Sequence, residues 1–166
     1  MTILQDVTGW IGGYLVTNGW GRPLEFRLTT AVQPNRVQRA LYGPTLQEYV
    51  FADLIGKTLV EKTGIVPSLL ITDVPLLLSL RSRVHLPIVA VPPSDSNGTM
   101  PSGCVSLEHP RCRTSLWLPS CSDSEVGAIR LLLDQVDPAV ELSEPFSRIR
   151  EAVAEARKLG ASSRAA

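Results

Sequence analysis

Long apolar runs are missing from this chain of 166 residues. The longest stretches, such as Val74 to Leu80, fall far short of the ~20 residues that a bilayer span needs, so no membrane crossing is expected. Met1 to Val7 carries Asp6 and no basic stretch ahead of an apolar one, so no secretory signal is expected and the cytoplasm is the expected compartment. Cysteine is scarce: three residues cannot pair off completely, which also suits a reducing compartment. Net charge is lacking, with 16 Lys+Arg against 16 Asp+Glu, which argues against strong whole-protein attraction to phosphate polymers. Phosphate-cradling glycine loops are lacking too, because Gly12-Gly13 and Gly19-x-Gly21 fall in or between strands, and no G-x-S-x-G elbow occurs. Of the two histidines, His85 falls at a helix end before Leu86-Pro87, so no nucleophile, base and oxyanion set can be assembled.

What is present is the patterning of one mixed α/β domain. Leu24, Phe26 and Leu28 alternate with Glu25, Arg27 and Thr29 at the two-residue period of a pleated strand, and Trp10 to Thr17 supplies its antiparallel hairpin partner. Asn18 to Pro23 is the turn, and the charged face of the second strand is expected to be wet. Gly12 and Gly13 in the first strand point to a bulge. Asn35 to Tyr42 reads as a short helical turn. Thr45 and Glu48 form a capping box before a long helix carrying Leu46, Tyr49, Val50, Ile55 and Leu59. The apolar strands Ser68 to Thr72 and Pro87 to Val91 flank a helix from Pro75 to about Val84, which predicts a parallel β-α-β crossover in a mixed sheet. Ser115 to Leu118 is a last strand. Two C-terminal helices follow, one capped by Ser122 and Glu125 and one running from Ser143 to a stop at Gly160. The expectation is a single globular domain over residues 1–160 with a long surface loop at 92–114, followed by a flexible tail at 161–166.

Charge is distributed unevenly. Trp20 to Thr45 carries Arg22, Arg27, Arg36 and Arg39 against Glu25 alone, whereas Ser120 to Pro145 carries six acids against Arg130. Such a basic patch suits an acidic partner or a nucleic acid, or the acidic segment of a second copy in self-association. Trp20 sits between two glycines in the turn beside Arg22, the composition of a binding hot spot. Cys104, His109, Cys112 and Cys121 make a Cys3His set chemically suited to tetrahedral zinc, although no C-x-x-C knuckle occurs. Asp73, at the carboxyl end of an apolar strand, is placed either to cap the following helix or to hold a divalent metal with Glu48 and with Asp6 or Asp134.

The order of hairpin, helix, strand, helix and strand resembles the ribonuclease-H-like fold, in which acids from the first strand, first helix and fourth strand converge. That resemblance implies a metal-dependent nuclease using Asp73 and Glu48. The same order resembles small longin and roadblock modules, in which a hairpin and flanking helices make a regulatory dimer or docking surface. The leading expectation is a non-catalytic interaction or scaffold domain that docks a protein partner, or self-associates, through Trp20, Arg22, Arg27, Arg36 and Arg39. A nuclease and a nucleic-acid-binding module are the competing ones.

Overall fold

The computed structural model describes residues 1–92, 100–110, 112, 114–120 and 123–162. Two sheets form the frame. The first is antiparallel, in the order β1 (Thr2–Asp6), β2 (Gly9–Thr17), β3 (Pro23–Leu28). The expected hairpin is therefore present, and β1 adds a strand that the sequence pattern does not announce. Ile3 and Leu4 are adjacent and both half-buried, so the two-residue alternation that marks a one-sided strand is blurred there.

Both neighbours of β2 press closely on it. A Cβ added to Gly12 would sit 2.2 Å from Ile55 Cγ2, and one added to Gly13 would sit 2.2 Å from Ile149 Cγ2. The two glycines therefore serve close helix packing on opposite faces of one strand, in place of the expected bulge. The irregularity in the β2/β3 ladder falls at Val16/Thr17.

After β3 comes α1 (Arg36–Tyr42), with a reciprocal cap between Asn35 and Gln38. A 3-10 turn, Gly43–Thr45, leads into α2 (Leu46–Glu48), a π-helical segment (Tyr49–Gly56) and α3 (Lys57–Glu61), which run on as one rod. The expected Thr45/Glu48 capping box is not formed. Thr45 already has helical dihedrals, so no free helix end exists there, and its hydroxyl donates to the Tyr42 carbonyl at 2.8 Å. The rod packs Val50, Ile55 and Leu59 against the β2 face that bears Tyr14 and Val16. Each such fully buried aliphatic side chain stabilises the fold by about 1.5–3 kcal/mol.

The second sheet is mixed, in the order β4-β5-β7-β6. Its strands are β4 (Leu70–Thr72), β5 (Ile88–Ala90), β6 (Cys104–Leu107) and β7 (Leu116–Pro119). β4 and β5 are parallel, as the crossover predicts, and lie at one side of this sheet. The crossover helix, Pro75–Ser82, is 3-10, and Val74 stands at its N-cap position with no side chain capping it among the described residues. Asp73 therefore does not cap it. β6 lies within the stretch read as loop; of the strand's four residues only Leu107 is buried, so no apolar period shows. Residues 93–99 of that stretch fall outside the described ones.

α4 (Asp123–Asp134) packs Ile129 and Leu133 against Val89, Leu116 and Leu118 of the second sheet. Its expected cap, Ser122, lies outside the described residues. α5 (Glu144–Ser162) continues through Gly160, past the expected stop, and residues 163–166 of the predicted tail are not described. Phe146, Ile149 and Val153 of α5 cover Ile11 of the first sheet and also meet Ile71 and Val91 beside the second. The Met1 amine donates to the Ile71 carbonyl at 2.7 Å, stitching β1 to β4. Among the described residues no helix is long and apolar enough to cross a membrane.

Candidate interaction surface

The hairpin tip is built around Asn18. Its side-chain oxygen accepts from the amides of Trp20 and Arg22 at 3.1 and 3.0 Å, while its main chain exchanges bonds with Gly21 and Arg22. Gly21 turns with a positive φ of 72°, a region in which a side chain would be strained. The tip is then fastened to the α4–α5 connection. Asp137 N–H bonds the Gly19 carbonyl at 2.7 Å, and Arg148 Nη1 bonds the Gly21 carbonyl at 3.0 Å. With its backbone held on that side, Trp20 stands 76% exposed in a rigid turn.

β3 follows, as the outer strand of its sheet. Thr29 N–H donates to the Gly12 carbonyl at 3.0 Å, which fixes the phase of the ladder. In an antiparallel pair only alternate residues bond across, so Arg27 and Glu25 bond to Tyr14 and Val16, and the main-chain groups of Phe26 and Leu28 point away from β2, while Leu24 falls at the irregularity of the ladder with no β2 residue opposite it. The side chains of Leu24, Phe26 and Leu28 are exposed, at 49%, 38% and 43%. Phe26 and Leu28 lie on the face that α5 covers over β1 and β2, beyond the helix.

The charged face is the better anchored of the two. The Glu25 carboxylate accepts from Gly64 N–H at 3.0 and 3.1 Å, Ile65 N–H at 2.9 Å and the Thr63 hydroxyl at 3.1 Å, and pairs with Arg27. The amide of Gly64 first, then Arg27, outweigh desolvation and hold this carboxyl down at about 2. Nearby, burial pushes the Tyr14 hydroxyl up to about 12 against the opposing effect of Thr63. At the tip end of β2 a groove of about 300 Å3 opens toward β4 and the α4–α5 connection, lined by Leu15, Val16, Leu24, Ile65, Ile71 and Val140 among others.

Of the basic residues read from sequence, Arg22 lies at the tip, Arg27 in mid-strand, and Arg36 and Arg39 on α1 beyond the opposite end of β3. All four are exposed but strung along the element, and Arg39 Nε is turned back to the Pro34 carbonyl at 3.2 Å. Leu24, Phe26 and Leu28 were missed as surface residues because alternation locates a strand without saying that it is an edge.

The carboxylates singled out for metal chemistry sit in separate pairs. Asp73 pairs with Arg150, Glu48 lies 3.6 Å from Arg83, Asp134 lies 3.1 Å from His109, and Asp6 pairs with Arg157. His109 is buried and its carbonyl accepts from Cys112 N–H at 3.0 Å. Cys104 stands on β6, its thiol pushed up by burial, and Cys121 lies outside the described residues. No group of three metal-ligating side chains assembles among the described residues. No protein-family model matches the chain, and comparison with curated proteins and with solved structures finds no match.

Proposed function

We propose that this chain is a protein-docking domain that receives its partner along β3 and the hairpin tip. One observation carries the reading: the outer strand of the first sheet turns main-chain donors and acceptors outward together with half-exposed Leu24, Phe26 and Leu28. A strand edge of this kind accepts a further strand, with backbone bonds giving affinity and alternate side chains giving selectivity. Trp20 and Arg22 extend the surface at one end, on a turn held rigid before any partner arrives, which lowers the ordering cost of binding.

The test is affinity capture from cells of origin with the unmodified chain and with Trp20→Ala and Arg22→Ala. The side chains of a hot spot contribute about 2 kcal/mol or more each, so retention of the captured protein falls at least about tenfold in either variant. Stability changes by less than about 0.5 kcal/mol, because neither side chain is buried. Undiminished retention by both variants overturns the reading. So does a large loss of stability, which makes the tip a structural element.

A further inference from the structure

We propose that the occupant of the β3 edge is a second copy of this chain, paired antiparallel about a two-fold axis at Phe26. The inference rests on the docking reading above and names its partner. Leu24-Glu25-Phe26-Arg27-Leu28 is complementary to itself when reversed. Phe26 meets the second copy's Phe26, Leu24 meets its Leu28, and Glu25 meets its Arg27 on both sides of the axis.

The ladder phase fits this register. Phe26 and Leu28 carry the outward-facing main-chain groups. Pairing Phe26 with the second copy's Phe26 closes two main-chain hydrogen bonds, since a bonded pair exchanges an N–H and a C=O in both directions, and each Leu28 amide is brought to the second copy's strand beside Leu24. The two three-stranded sheets become one continuous sheet. Its face on the α5 side gains a cluster of Phe26 and Leu28 from both copies, and its other face sets each Glu25 opposite the unlike charge of the second copy's Arg27. Pro23, with no N–H to give, ends the ladder at the tip.

Competing registers are disfavoured by charge. The smallest slip that keeps the outward groups facing each other is two residues. In one direction it sets Glu25 opposite Glu25, and in the other Arg27 opposite Arg27, and like charges directly opposite destabilise a pair. The Glu25 carboxylate cannot swing clear, being fixed by Gly64, Ile65 and Thr63 of its own chain. The contact is isologous, so it consumes both β3 edges and stops at two copies.

The experiment is sedimentation of the full chain from about 1 µM to about 1 mM, the range that separates weak from firm association, together with amide hydrogen exchange read residue by residue. The expected mass rises from 18.0 kDa to twice that value with concentration. Over the same range the amides of Phe26 and Leu28 gain protection, whereas Glu25 and Arg27, bonded within the sheet, are protected throughout. Arg27→Glu replaces both cross-strand attractions with repulsions and raises the dimer dissociation constant at least about tenfold. Should that variant fold poorly, the exchange pattern of the unmodified chain decides alone. A mass fixed at 18.0 kDa overturns the proposal. So does a dimer that leaves those two amides unprotected, or one that a folded Arg27→Glu variant retains. If the chain stays monomeric yet captures another protein through Trp20, self-pairing falls and docking stands; if neither occurs, both fall.

Discussion

Glu25 shows how one carboxylate can fix a strand edge in position. Its acceptor capacity is used by two main-chain amides, a hydroxyl and a guanidinium, tying β3 to the chain just after α3. Because the folded group is held at about 2 against an ordinary 4.5, the unfolded chain binds more protons between those values. The resulting stability is complete above about 4.5 and is lost as pH falls through 2. Thermal melts across that window are expected to show a steep decline that Glu25→Gln flattens. Asp73 presents a related case with another consequence. One of its oxygens pairs with Arg150 while the other is buried without a hydrogen-bond partner among the described residues. Arg150→Ala removes the paired cation as well, and leaving a buried acceptor unmet costs about 1–3 kcal/mol, measurable by urea unfolding.

At the scale of elements, the glycine pair of β2 makes the sharpest demand. Gly12→Ala drives a methyl into Ile55 and Leu59 of the rod, and Gly13→Ala drives one into Ile149 of α5. Each is expected to destabilise by about 1–3 kcal/mol in chemical denaturation, the range for overfilling a packed core. Those positions mark the boundary of what the sequence shows by itself. Alternation at Leu24 to Thr29 and helical spacing from Leu46 to Leu59 located β2/β3 and the rod correctly, and the apolar runs at Leu70 and Ile88 located the parallel pair, because each pattern is local. The partners of Gly12 and Gly13 lie some 40 to 140 residues away along the chain, so their reason is visible only once the helices are in place. The same holds for the docking strand. Trp20 was legible as a surface residue from its flanking glycines. Phe26 was not, because a strand bounded by water on one edge has the same residue pattern as one enclosed by neighbours. Asp73 looked like a cap because its place ahead of Pro75 is close to one, yet the cap position falls on Val74 and the Asp73 carboxylate pairs with Arg150.

For the molecule as a whole, α5 is the strut. Ile149 is buried between the first sheet and the Ile71/Val91 side of the second, and Arg150 and Arg157 reach Asp73 and Asp6 from the same helix. Ile149→Ala leaves a cavity at that junction and is expected to cost about 2–5 kcal/mol. Since the helix serves both sheets, amides of β2 and β4 should lose exchange protection together and a single unfolding transition should persist. Separate transitions for the two sheets would contradict a shared core. The three tryptophans, finally, give the chain a built-in optical gauge. Trp10 packs edge-on against Phe51 with ring centres 5.6 Å apart, and Trp117 is held in the second sheet beside Ala90. Trp20 alone stands mostly in water, so acrylamide extinguishes its light first, and whatever shields that fraction of the emission has settled on the hairpin tip.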